Sequence, residues 1–344
     1  MWPFSSKQHQ ASLSINGSDA FDIGKKETIL DAALRQGFHV PHSCRVGGCG
    51  TCKCKLKHGK VREFTDTSYL LSKQELQENY ILACQTRAKD AVVVDFPGWN
   101  KAAKPVSGKL LTIEELTHDI FELTIELEEA ISFLPGQYMR LSPADGSLPA
   151  RCYSFANVGH PENPKIISFF IRRVEGGNMS NWLTDPAHIG ETLIAEGPNG
   201  EFYLRDIDGP AIFIAGGSGL APILSVLEGA IEKSHKVIFH DALFLFGARE
   251  QRDLYALDRI EKIRQGWGGH FAFKAVLSAV QEDSDWAGAV GMVTEHIPDT
   301  PTSFNHAYLC GPPPMLDAAI DVLVSRQLNE TNIYLDKFSD QSSS

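Results

Sequence analysis

Four cysteines stand where they could hold a metal: Cys44, Cys49, Cys52 and Cys84. The first three share one stretch, CRVGGCGTC, and the fourth lies in ILACQT. Four residues separate Cys44 from Cys49, two separate Cys49 from Cys52, and thirty-one more precede Cys84. An opening of four and then two is the spacing of a plant-type 2Fe-2S centre, a one-electron carrier ligated by four thiolates. Soft thiolates suit iron–sulfur chemistry. A structural zinc site would favour paired CxxC motifs or a cysteine–histidine mixture, and neither occurs. Cys54 follows Cys52 by two residues, but the spacing from Cys49 selects Cys52 and leaves Cys54 a bystander. His42 has the wrong spacing for a two-histidine Rieske site.

A second constellation begins at RCYSFAN. Arg151 can meet a phosphate, Tyr153 can stack on or edge against an aromatic ring, and Ser154 can hydrogen-bond a ring system. One strand further on, VEGGNMSNWL supplies Gly176 and Gly177 just before a short helix with Ser180. Glycines at a helix start leave bare N–H groups that suit a phosphate. Alone, Tyr153 reads equally as core and the glycine pair as a turn; together they point to a dinucleotide-flavin site. IAGGSGLAPILSVL then places Gly216, Gly217 and Gly219 between a buried strand and a helix, the setting of a pyrophosphate loop. FGARE puts Arg249 at the end of the next strand, where ribose contacts are made. YLCGPPPMLDAA ends another strand with Cys310, Gly311 and Pro312. Cys310 is either a plain buried cysteine or a small uncharged neighbour of a ligand.

Three stretches must position these residues, which makes the chain multidomain, α+β and then α/β. Residues 11–98 contain a hairpin from ASLSI and AFDI, and a helix, TILDAALRQG, that Gly37 can close. After the cysteine loop, KCKLK and GKVREF alternate like short edge strands, SKQELQENY opens a helix at Ser72 with Glu75 as its capping partner, and AVVVDF is a closing strand. The linker PGWNKAAKPVSG follows. Residues 105–206 are nearly all strand with Gly and Pro turns, which predicts a small antiparallel barrel. Residues 207–338 alternate continuous apolar strands with amphipathic helices, the pattern of a parallel sheet covered on both faces.

Composition narrows the partners. The net charge is −11 over 344 residues with no long Lys/Arg run, which argues against nucleic acid. It suits a basic docking patch on a protein partner. Seven cysteines, clustered early, are no disulfide framework, and the N-terminus lacks a signal-peptide core; both point to a reducing, cytoplasmic setting.

With these motifs in place, the chain resembles the NADH-dependent reductase components of bacterial aromatic-ring and alkyl-group oxygenases, within the ferredoxin–NADP reductase superfamily. The likeness rests on PHSCRVGGCGTCKCKL, RCYSF, RRVEGGNMSNWL, AGGSGLAPI, FGAREQRDLYALD, GMVTEHI and YLCGPPPMLDAA. It implies an N-terminal β-grasp ferredoxin, an antiparallel flavin-binding β-barrel and a C-terminal parallel-sheet NAD domain. It implies that Cys44, Cys49, Cys52 and Cys84 ligate one 2Fe-2S cluster. Arg151 would meet the FAD pyrophosphate, with Tyr153 and Ser154 on the isoalloxazine. Gly177, Asn178, Met179 and Ser180 would cover the FAD phosphates. Gly216, Gly217 and Gly219 would carry the dinucleotide, Cys310, Gly311 and Pro312 would line the nicotinamide, and Phe338 would shield the flavin. Gly48 replaces a commoner small polar residue and still allows close sulfur contact. The implied acceptor is an oxygenase or hydroxylase, of a hydrocarbon monooxygenase or of a Rieske-type dioxygenase, with peripheral contact if the hydroxylase is membrane-bound. A ferredoxin-like carrier whose later domains bind a regulatory nucleotide is a third reading.

Overall fold

A computed structural model describes residues 11–38, 40–42, 45–48, 50–71, 73–97, 104–159, 162–205, 208–232, 240–280, 284–299 and 304–338. The described residues divide into two compact units, 11–97 and 104–338.

The first unit is a mixed sheet folded over a helix. β1 (Ser12–Ile15) turns back into β2 (Phe21–Asp22) as an antiparallel hairpin. α1 (Ile29–Arg35) starts at Thr28, whose hydroxyl accepts the Asp31 N–H at 3.1 Å while Asp31 returns the bond in a capping box. Gly37, at φ +78°, ends it in the left-handed conformation that glycine adopts without strain. β3 (Lys53–His58), β4 (Val61–Glu63), α2 (Lys73–Gln77), β5 (Tyr80–Leu82), β6 (Thr86–Ala88) and β7 (Val92–Asp95) follow. Ser72, the expected cap of α2, lies outside the described residues. The sheet order is β2-β1-β7-β3-β5, with β4 and β6 paired separately. β3 is therefore interior rather than an edge: β7 inserts beside it, parallel to β1, and the buried Cys54 faces the core. Ile29, Leu30, Ala32 and Ala33 of α1 pack on Leu13, Ile15, Val92 and Val94. Each such large apolar side chain, once buried, contributes about 1.5–3 kcal/mol.

The second unit opens with six antiparallel strands: β8 (Val106–Glu115), β9 (Ile120–Leu127), β10 (Tyr138–Pro143), β11 (Arg151–Ser154), β12 (Ile166–Arg172) and, after α3 (Asn178–Leu183), β13 (Thr192–Asn199). Their order is β11-β10-β13-β8-β9-β12. A single bridge between Phe155 and Phe169 joins the two ends of this sheet, β11 and β12, into a barrel. The parallel sheet contains β14 (Ala211–Gly216), α4 (Leu220–Glu232), β15 (Ala242–Ala248), α5 (Leu257–Gly266), β16 (Phe271–Leu277), β17 (Ala289–Val290), β18 (His306–Gly311), α6 (Pro313–Ser325) and β19 (Ile333–Lys337). Its order, β17-β16-β15-β14-β18-β19, reverses direction between β14 and β18. Ligands bind at the carboxyl ends of strands at such a switch.

α4 departs from the amphipathic expectation. It is buried almost throughout, from Leu220 to Ala230, because the barrel covers the face turned away from the sheet. Ser225 Oγ donates to Asn157 O at 2.7 Å and accepts the Gly136 N–H at 3.2 Å. Arg259 on α5 adds a second tie, donating to Ala156 O at 2.6 Å.

Candidate redox sites

In the first unit, pairing of β3 with β5 carries Cys52 to Cys84. Ala83 N–H donates to Cys52 O at 3.0 Å, and the Cys84 N–H reaches Cys52 Sγ at 3.5 Å. Both side chains are buried. A backbone N–H directed at sulfur is what a thiolate ligand needs to hold negative charge away from water. Cys44 and Cys49 lie outside the described residues. The loop between and around them is left-handed at Arg45, Gly47 and Gly50 (φ 62°, 82° and 70°). Gln85, next to Cys84, pins it by donating to Arg45 O at 3.2 Å, and the Tyr69 hydroxyl donates to Gly47 O. A Cβ on Gly47 would sit 2.8 Å from Gln85 Cγ, so the loop approaches the Cys84 turn as closely as glycine allows. These features fit a four-thiolate cluster. Cys54 sits in apolar surroundings whose burial pushes its thiol well above the ordinary range, which suits a bystander. His42 Nδ1 lies 2.9 Å from Val40 O.

In the second unit, β11 brings Arg151, Tyr153 and Ser154 to the barrel edge in register with Leu141, Met139 and Tyr138. Among the described residues no carboxylate pairs with the half-buried Arg151, whose Nη1 donates to Ala150 O at 3.1 Å. That leaves its charge for an anion. Gly176 and Gly177 precede α3, and Ser180 Oγ accepts the Val174 N–H at 3.1 Å. Met179 and Ser180 are buried, while Gly177 is the N-cap, whose flanking N–H groups lack intrahelical partners.

The parallel sheet supplies the opposite wall. Gly216 ends β14, and one turn through Gly217 and Gly219 enters α4. A Cβ on Gly219 would lie 2.4 Å from Cys310 O, so only glycine lets this loop rest on the end of β18. Strand register sets Ala215 beside Cys310 and Cys310 beside Asp336. Ser154 Oγ then crosses from the barrel to donate to Asp336 Oδ2 at 2.8 Å. Phe338 N–H donates to Gly311 O at 3.1 Å, which holds Phe338 beside the same strand end. Cys310 is fully buried; burial, with the Asp336 charge, pushes its thiol well above the usual range. Burial also lifts the Asp336 carboxyl from 3.8 to about 6, against the opposing pull of Ser154. The Tyr153 hydroxyl is likewise raised by burial.

Known proteins match these three parts in the same order. Residues 13–89 match the family described as 2Fe-2S iron-sulfur cluster binding domain. Residues 107–203 match an oxidoreductase FAD-binding domain and 213–321 an oxidoreductase NAD-binding domain. The xylene/toluene monooxygenase electron transfer component of Pseudomonas putida is 38% identical over 96% of this chain and 94% of its own length. The chain belongs to the oxygenase electron-transfer reductases.

The anthranilate 1,2-dioxygenase electron transfer component of Acinetobacter baylyi is 34% identical over 96% of this reductase and 97% of its own length. Among solved structures, an Amycolatopsis cytochrome P450 reductase superposes with a TM-score of 0.72 at 30% identity, covering 96% of this chain and 99% of that one. This reductase is an oxidoreductase that takes electrons from NADH through FAD and a 2Fe-2S centre.

Sequence reasoning missed Asp336. Its signal was present: one carboxylate in the apolar strand IYLDK, at the ligand end of a parallel sheet. It also missed Tyr255, whose hydroxyl donates to Gly217 O at 2.9 Å, and the acids that meet Arg249.

Proposed function

We propose that this reductase is the NADH-oxidising component of an aromatic-hydrocarbon monooxygenase and passes single electrons from its cluster to the hydroxylase. The observation that carries the reading is the meeting of Ser154, Asp336 and Cys310 beside the glycine loop, in a chain that also holds the cysteine unit. Cys44, Cys49, Cys52 and Cys84 ligate the cluster. Arg151 neutralises the FAD pyrophosphate, Tyr153 and Ser154 address the flavin ring, and Gly176, Gly177, Asn178, Met179 and Ser180 line the FAD phosphates. Gly216, Gly217 and Gly219 receive the NADH pyrophosphate. Arg249 stands at the adenosine ribose, while Cys310, Gly311, Pro312 and Phe338 shape the space at the flavin and nicotinamide.

Bound FAD supplies the exchange between a two-electron hydride and single electrons, a task the protein frames by position and electrostatics. The side chains have correspondingly modest roles. Burial keeps the Cys310 thiol neutral, so it packs without acting as a nucleophile. Asp336 accepts the Ser154 hydroxyl and fixes its direction. A carboxyl lifted to about 6 takes up a proton at higher pH than an exposed one, so Asp336 beside Ser154 is ionised at neutral pH and loses its charge as the pH falls through about 6.

The identity to a monooxygenase component supports that partner. The dioxygenase relative supports a second reading, service to a Rieske oxygenase. For a membrane-bound hydroxylase the proposed contact is peripheral and the reductase cytoplasmic; among the described residues no helix is long and apolar enough to cross a membrane. Reconstitution decides. NADH-driven product formation with a di-iron hydroxylase supports the first reading. Turnover with a Rieske oxygenase alone transfers the assignment to the second. Failure to reduce any artificial acceptor with NADH sinks both.

A further inference from the structure

The loop that receives the NADH pyrophosphate holds Gly216, Gly217 and Gly219 within four residues. Glycine samples more backbone conformations than any other residue and loses the most freedom when fixed. A loop of this composition takes a single shape only if contacts from outside impose it. Strand β18 supplies one, since Gly219 rests against Cys310 O. Tyr255, 38 residues after Gly217, supplies another: its hydroxyl donates to Gly217 O at 2.9 Å. The same oxygen accepts the Leu220 N–H in the first turn leading into α4. Two donors thus fix the Gly217 carbonyl. In a trans peptide the following N–H points the opposite way. The Ser218 N–H is therefore turned out of the helix start, the direction from which an anion is bound.

The tyrosine is itself held from several sides. It is 5% exposed. Its ring meets Phe170 of β12 and Phe246 of β15 edge-on, with centroids 5.4 Å and 5.8 Å away. Burial pushes its phenol well above the ordinary range, so the hydroxyl keeps its proton and stays a donor. Ala256, the next residue, is left-handed at φ 53°, and its methyl group cannot cap α5. A residue with a Cβ seldom takes this conformation, and it persists where the surrounding structure imposes it. Here the sharp bend lets α5 begin while the Tyr255 side chain stays turned back onto the glycine loop.

We infer that Tyr255 is a positioning residue that holds the Gly217 peptide in its pyrophosphate-binding orientation. Its contribution is preorganisation. Without the hydroxyl the loop is competent for part of the time only, and apparent affinity falls by that fraction. NADH, once bound, sits as before. This role rests on the glycine loop being the pyrophosphate site.

The test uses the full-length, FAD-loaded protein. Tyr255→Phe keeps the ring against Phe170 and Phe246 and removes only the hydroxyl. The KM for NADH should rise about fivefold, the scale of one net hydrogen bond, while kcat holds. Calorimetry should show ADP-ribose, which carries the pyrophosphate and lacks the nicotinamide, weakened by a similar factor. A fall in kcat with KM unchanged overturns the role. So does a lower thermal midpoint with ADP-ribose affinity intact, which marks a purely structural tyrosine. Gly219→Ala separates the two readings. If it weakens ADP-ribose and Tyr255→Phe does not, the loop assignment stands and the role of Tyr255 falls. If neither variant weakens ADP-ribose, the pyrophosphate lies elsewhere and both fall, while the flavin and cluster assignments stand.

Discussion

Replacing Asp336 by Asn should stabilise the FAD-stripped protein at alkaline pH and should do so less as the pH falls. Burial lifts this carboxyl from 3.8 to about 6. At 1.36 kcal/mol per pH unit, holding it ionised costs the fold up to ~3 kcal/mol. The sign follows from proton binding. Below 3.8 the group is protonated in folded and unfolded chains alike, and no cost arises. Between 3.8 and 6 the folded state binds more protons, so stability falls as pH rises. Above about 6 both states are ionised and the full cost is present. About half of it develops between pH 5 and pH 8, so the advantage of Asp336→Asn should grow by ~1.5 kcal/mol over that span. Asn keeps an acceptor for the Ser154 hydroxyl, now 2.8 Å from Asp336 Oδ2, so the lost hydrogen bond contributes little. Urea unfolding followed by far-UV circular dichroism at several pH values measures the difference. A constant offset from pH 5 to pH 8 would refute burial of a charge as the cause.

Cys49→Ser should abolish the iron–sulfur absorbance and leave FAD bound, since the flavin residues lie in a separate unit; zinc in place of about two irons in the parent would defeat the cluster assignment. Cys310→Ala should slow flavin reduction by NADH about tenfold or more while sparing transfer to the cluster, because hydride transfer tolerates little misplacement. Rapid-mixing absorbance separates the two steps, and unchanged reduction returns Cys310 to the ordinary buried cysteines. Gly219→Ala places a Cβ 2.4 Å from Cys310 O, so NADH affinity should drop at least about tenfold with the barrel's FAD retained; a normal dissociation constant would show that the loop yields. Arg259→Ala strands Glu228 and frees Ala156 O, and should destabilise the second unit by about 3 kcal/mol in thermal unfolding. An effect within about 0.5 kcal/mol would mark the pair as an ordinary surface contact.

Much of the chemistry was legible because it is local. Cys44, Cys49 and Cys52 sit within one loop, so their spacing alone restricts the metal they can surround. Strand alternation in IFELTIEL and continuous apolarity in AIFIAGG follow from whether one or both faces are buried, and they distinguish barrel from parallel sheet. Thr28 with Asp31, and Gly37 after Arg35, bound α1 through bonds no longer than a turn.

What depended on distant segments could not be read this way. β3 looked like an edge strand because its own pattern is half polar; β7 arrives about forty residues later and makes it interior. α4 read as amphipathic until the barrel was seen to cover its second face through Ser225 and Gly136. Asp336 acquires its raised affinity for protons only from the enclosure it shares with Ser154, 182 residues earlier. Arg249 meets Asp119 only because the barrel brings that acid, 130 residues earlier, to within 3.6 Å of its guanidinium. Sequence sets which groups can bind and which segments can form strands or helices, since these follow from covalent spacing and local periodicity. Which charges are neutralised, buried or opposed depends on which segments become neighbours, and only the folded chain decides that.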